Sequence, residues 1–207
     1  RKLGVGLDLQ LRRLGFYPAG GGEFSAALTP ADAGLTPFDV IERGALCEAY
    51  AECLAPALPP RVASRELAAV GRALGWSGEQ LRTPALRQNE GPGNALLLTL
   101  MHEHACEVIT AFGEKSISAD RVAQQAVQEA RAFNASAGAL GQHLADQWMV
   151  PLALAVVQQR GEASFTCTEM TEHSRTNIGV IEAFLPVRVS VVESERASWR
   201  VSVAATI

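Results

Sequence analysis

Apolar and polar positions alternate strictly over residues 3–11, Leu-Gly-Val-Gly-Leu-Asp-Leu-Gln-Leu, the period of a half-buried strand. A turn over residues 12–15 and the loop Phe16-Tyr17-Pro18-Ala19-Gly20-Gly21-Gly22 separate it from a second strand at Glu23–Leu28, so the pair is expected to form a hairpin. Residues 29–40 are proline-rich and irregular, which suggests a domain boundary. Residues 41–55 carry no decisive period. Beyond Pro59-Pro60 the period changes: Leu67, Val70 and Leu74 make an apolar stripe at helical spacing, with Ser64 as the expected N-cap. The turn Glu90-Gly-Pro-Gly-Asn94 opens a long apolar, β-prone run from Ala95 to Phe112.

After the turn at Gly113-Glu-Lys, Ser118 is expected to cap a helix over 119–133 with Val122, Ala126, Val127 and Ala130 facing inward. A last helix is expected over about 136–157, followed by strands at 163–167, 176–184, 187–193 and 199–203. This order predicts an α+β fold of helices layered on sheets, with an inserted subdomain. The chain begins at Arg1 with a strand already under way, so it is expected to be a fragment.

Composition narrows the class. The chain has 207 residues, 48% of them hydrophobic, and a formal net charge of −4. That charge argues against a broad basic surface coating nucleic acid, while leaving room for a local binding pocket. The longest apolar stretch, Trp148–Val157, is too short to span a bilayer. Four cysteines (Cys47, Cys53, Cys106 and Cys167) form no CxxC pair, and are expected to be reduced thiols, mostly core filler, in a cytoplasmic protein.

Four features carry candidate chemistry. His143, Asp146 and Gln147 stand at i, i+3 and i+4 in an otherwise apolar helix, and so share one face, either a solvated stripe or a site. Pro151 in that helix frees the Gln147 carbonyl. The segment Thr171-Glu-His-Ser-Arg-Thr-Asn-Ile178 places His173 just before an apolar run, as a general base, a metal ligand, a nucleophile or a plain surface residue; Ser174, Thr176 and Asn177 are available to fix its tautomer. If residues 95–112 form one strand, His102, His104 and Cys106 share a face, either a polar strip or an incomplete metal site. Gly20-Gly21-Gly22 lacks the GxxxxGK[ST] pattern and does not lead a strand into a helix, so a tight hairpin is its default reading.

Together these segments resemble one family, the RNA 3′-terminal phosphate cyclases. Gly15-Phe-Tyr-Pro-Ala-Gly-Gly-Gly22 is similar to its signature loop. Glu90-Gly-Pro-Gly-Asn94 and Gly113-Glu-Lys-Ser-Ile-Ser-Ala119 resemble segments of its inserted domain. His143-Leu-Ala-Asp-Gln147 resembles its ATP-contacting stretch, and His173-Ser-Arg-Thr-Asn-Ile178 with Val180-Ile-Glu-Ala-Phe-Leu-Pro-Val187 resembles the segment holding its adenylated histidine. The order along the chain is the family's order. Leu14, where the family usually has Arg or His, and His143, where Tyr is common, depart from the pattern.

The resemblance implies a large domain built of repeated helix-on-sheet units, here residues 1–37 and 139–207, with a smaller α/β domain inserted at residues 38–138. It implies His173 as the nucleophile that accepts AMP from ATP, and His143, Leu144, Ala145, Asp146 and Gln147 as ATP contacts. The expected cofactors are ATP and a divalent metal (Mg or Mn), held mostly by water and phosphate; Asp146 is a candidate for metal or ribose contact, and no protein metal site is assigned. The partner is an RNA 3′ end, whose phosphate becomes a 2′,3′-cyclic phosphate. Competing readings are a catalytically inactive cyclase-like protein in ribosomal RNA processing, an enolpyruvyl transferase of similar fold, and a metal-binding module at His102, His104 and Cys106.

Overall fold

A computed structural model of the chain describes residues 2–206; Arg1 and Ile207 lie outside the described residues. The alternating N-terminal segments form the expected antiparallel hairpin, β1 (Gly6–Arg13) and β2 (Glu23–Thr29). Leu7, Leu9 and Leu11 stand opposite Leu28, Ala26 and Phe24 on one face of it, and that face is exposed rather than half-buried because no described element packs on it. The connecting loop is closed by a Gly20 N–H donated to the Phe16 carbonyl at 2.7 Å. Gly15 lies so close to Gly22 that a Cβ on it would sit 2.3 Å from the Gly22 nitrogen, so the loop needs glycine there. Its outer end rests on the 88–94 turn: Arg13 donates to the Asn89 carbonyl at 3.0 Å, and the Phe16 ring occupies the space above Gly93.

The indecisive stretch at 41–55 contains β3 (Leu46–Leu54). The helix that follows, α1 (Arg61–Leu74), begins earlier than Ser64. Pro60 itself is the N-cap residue and Ser64 lies inside the first turn, its N–H donating to the Pro60 carbonyl at 3.1 Å. The proline pair fixes the entry geometry, and the Pro59 carbonyl accepts the Val62 N–H at 2.9 Å in place of a serine cap. The 95–112 run is two strands, not one: β5 (Ala95–His102) and β6 (Cys106–Phe112), turning at residues 103–105; the two-residue β4 (Leu81–Arg82) precedes them. The sheet order is β4-β3-β5-β6. The helix α2 (Ala119–Ala135) is capped by Ser118, whose side chain accepts the Arg121 N–H at 3.2 Å, and its Val122, Ala126, Val127 and Ala130 are buried as the stripe predicts. α1 and α2 cover one face of this sheet, closing a core around Leu96, Leu98, Ile109, Leu67 and Val70.

The helix expected from residue 136 starts later, as α3 (Gln142–Gln159). Residues 136–141 are extended instead. Leu140 makes a parallel bridge to Cys167, and a Cβ on Gly138 would come within 2.3 Å of the Cys167 carbonyl carbon, so this strap is held against β7 (Glu162–Cys167). Pro151 lies inside α3 without ending it.

The strand expected at 176–184 is a helix, α4 (Glu172–Phe184). Its Ile178, Val180 and Ile181 are β-prone, but Thr171 caps it and Glu172 opens its first turn; Ile178 and Ile181 turn to the core at helical spacing. β8 (Val187–Ser194) and β9 (Ser198–Ala205) complete a three-stranded antiparallel sheet in the order β7-β9-β8. α3 and α4 pack on it over a second core containing Val40, Met149, Leu152, Val156, Phe165, Val201 and Val203. The architecture is α+β, with two separate cores. Of the four cysteines only Cys53 and Cys167 are core filler; Cys47 and Cys106 are exposed, and all four thiols are free.

Candidate active site

α3 and α4 cross beside one another, and their facing polar residues meet. Thr171 Oγ1 accepts the Ser174 N–H at 3.1 Å, which fixes the start of α4. His173 therefore stands in the first turn, where its backbone direction is set. Its Nδ1 lies 3.0 Å from Asp146 Oδ1 on α3. Asn177, one turn further along α4, donates its amide to the same oxygen at 3.3 Å. Asp146 is thus gripped from two successive turns of α4, with 22% of its side chain accessible, while 79% of the His173 side chain is open to solvent.

This arrangement has a chemical consequence. A carboxylate at Nδ1 favours the tautomer that carries its proton there, leaving Nε2 with a free lone pair on the accessible side of the ring. The residues expected to hold the ring do not do so. Ser174 bonds Thr171, Thr176 donates to the Glu172 carbonyl at 2.9 Å, and Asn177 bonds Asp146 rather than the imidazole. The partner is Asp146, which the chain order places 27 residues away and the helix packing brings into contact.

The stretch His143–Gln147 divides by helical position. Asp146 meets His173. His143 and Gln147 are exposed on the same side of α3, and His143 Nε2 lies 3.9 Å from Glu129 Oε1 of α2. Ala145 is buried in the second core. Leu144 lines a different space, an apolar cavity of about 440 Å³ bounded also by Phe38, His104, Cys106, Trp148 and Pro151. Trp148 holds its place there by an edge-on contact with Phe38, ring centres 5.1 Å apart.

His102, His104 and Cys106 do not share a strand face, because the chain turns between them. His102 lies against the Phe133 ring, with burial and the nearby Arg43 guanidinium both holding its imidazole below its ordinary pKa. Among the described residues no group of three or more His, Cys, Asp or Glu side chains is arranged to hold a metal ion, and no helix is long and apolar enough to cross a membrane.

One charged residue near the site was not singled out from the sequence. Glu107 on β6 is buried and accepts the N–H of Gly141, the N-cap of α3, at 2.8 Å. Burial pushes its carboxyl above the usual carboxylate range, against the Gly141 hydrogen bond. The legible signal was a lone charge on the inward face of a strand, in phase with Ile109 and Ala111.

Residues 1–191 match the protein family described as RNA 3′-terminal phosphate cyclase. Proteins of that name from Pseudomonas fluorescens and Pseudomonas aeruginosa are 46% and 42% identical to this chain over 189 residues, 91% of the chain and 53% of each relative. One from Koribacter versatilis is 39% identical over 196 residues, 95% of the chain and 54% of the relative. The chain therefore spans about half the length of the curated relatives it matches.

Proposed function

The chain belongs to the RNA 3′-terminal phosphate cyclase family, and we propose that His173 is the nucleophile with which the protein converts an RNA 3′-phosphate to a 2′,3′-cyclic phosphate at the expense of ATP. The contact that carries this reading is His173 Nδ1 to Asp146 Oδ1 at 3.0 Å, on a ring otherwise open to solvent. Nε2 attacks the α-phosphorus of ATP, the bond to the β-phosphate oxygen breaks, and pyrophosphate leaves with the electron pair. The ring then bears AMP on Nε2 and keeps its proton on Nδ1, so it is cationic. Asp146 compensates that charge, and the same cation makes the imidazole a good leaving group in the next step.

In that step an oxygen of the RNA 3′-phosphate takes the AMP, and the ring returns to neutrality. The neighbouring ribose 2′-OH then attacks the activated phosphorus and expels AMP. The substrate itself holds the hydroxyl beside the phosphorus, so proximity supplies much of the rate of closure. His143 and Gln147, one turn apart on the exposed side of α3, are assigned to the nucleotide. Leu144 and Ala145 belong to the same proposed ATP-contacting stretch; Ala145 is buried in the second core and Leu144 lines the cavity beside Trp148. A divalent ion on the triphosphate would screen its charge. Among the described residues no cluster of three ligands is arranged for it, and Asp146 is engaged by His173 and Asn177. The first core, drawn from residues 49–133, supports an inserted domain within residues 38–138, while Val40 packs in the second core with residues 139–207 of the catalytic one.

The test is incubation of the full-length protein with α-labelled ATP and Mg or Mn. Covalent label is expected in the wild type and absent in His173→Ala. Label that survives the substitution removes His173 as nucleophile, and absence of label in the wild type favours an inactive cyclase-like protein.

A further inference from the structure

α3 carries Asp146, yet it has no cap of its own. Gly141 stands at its N-cap position and has no side chain, so the N–H groups of the first turn lack a local acceptor. Glu107, from another layer of the molecule, instead holds the amide of the N-cap residue itself. Its Oε2 accepts the Gly141 N–H at 2.8 Å, which places a carboxyl oxygen at the positive end of the helix. The fit is close: a Cβ on Gly141 would sit 2.2 Å from Glu107 Oε1. Glu107 is only 5% exposed, so water does not readily replace it. The charged and titratable groups around it are Glu129 of α2, His143 of α3, and Arg43, which ties the end of α2 to the strap before α3 by donating to the carbonyls of Phe133, Ser136 and Gly138.

We propose that Glu107 is a positioning residue for the His173 site: from β6 it caps α3 and so fixes the height of Asp146 against the imidazole. The inference rests on the reading of His173 as the adenylated residue. Asp146 lies five residues beyond Gly141, about 7.5 Å along a continuous helix, so a shift at the cap is carried to the carboxylate with little loss. A displacement of about 1 Å in a reacting group can slow a step by about 100-fold.

The experiment compares full-length wild type with Glu107→Ala and Glu107→Gln. It follows the rate of covalent AMP formation across ATP concentrations, and amide hydrogen exchange in the first turn of α3. Glu107→Ala is expected to lower the maximal labelling rate about 10- to 100-fold, with half-saturating ATP little changed, and to speed exchange at Gly141–Ala145. Glu107→Gln keeps an oxygen for the Gly141 N–H and should recover most of both losses. If Glu107→Ala does not fold, Gly141→Ala attacks the same contact from the helix side and should reproduce the rate loss. A folded variant that labels at the wild-type maximal rate, or whose first-turn exchange is unchanged, overturns the proposal. Wild type that takes no label, or His173→Ala that keeps it, instead defeats the proposed function, and the exchange measurement alone then decides whether Glu107 holds α3.

Discussion

Asp146→Asn isolates the charge at the centre of the site. The two side chains have the same shape, and the amide oxygen can still accept the Nδ1–H, so the ring orientation is kept while the compensating charge is lost. Coulomb's law for unit charges at the observed 3.0 Å gives about 1.4 kcal/mol in bulk water and about 5.5 kcal/mol at an effective dielectric of about 20. His173 is mostly exposed and Asp146 mostly covered, which puts the pair between these limits and toward the watery one. A loss of about 1.4–3 kcal/mol from a cationic adduct corresponds to a fall of about 10- to 100-fold in the rate of its formation. The assay is single-turnover transfer from α-labelled ATP to the full-length protein, quenched in time and read as protein-bound label. Asp146→Ala, which also frees the ring, should be slower still. Asp146→Asn labelling at the wild-type rate would refute the claim that Asp146 stabilises the adenylated ring.

Two predictions concern stability. Gly141→Ala forces a methyl group against the Glu107 carboxylate and should destabilise the fold by about 1–3 kcal/mol, read as a lower melting temperature. Glu66, fully buried, accepts from Asn94 at 2.6 Å and lies 3.2 Å from the Cys53 thiol; burial raises its pKa above the ordinary 4.5. The folded state therefore holds its proton more tightly than the unfolded chain. The resulting stability is present below pH 4.5 and is lost as pH rises through the raised value. Glu66→Gln should flatten that decline in denaturant midpoints measured against pH, and a slope equal to that of the wild type would contradict it.

Elements whose neighbours in sequence are also their partners were legible directly. The β1–β2 hairpin follows from a period of two on either side of a glycine loop, and α2 from a period of 3.6 behind Ser118. The errors arose where local preference met a tertiary constraint. The β-prone residues of α4 were outweighed by the Thr171 cap and by a core that accepts Ile178 and Ile181 only from a helix. Residues 136–141 were drawn out of the helix because β7 offers hydrogen-bond partners along its edge.

The sequence by itself determined the α+β class, the position of His173 in a polar cluster, and the shared face of His143, Asp146 and Gln147, because each depends on spacing within a short segment. Only the tertiary structure decided that Asp146, rather than Ser174, Thr176 or Asn177, takes the Nδ1 of His173, and that Glu107 caps the helix presenting it. Both contacts join residues about 30 positions apart, His173 to Asp146 and Glu107 to Gly141. Helical spacing says which way a side chain faces, but the packing of whole elements fixes what it meets.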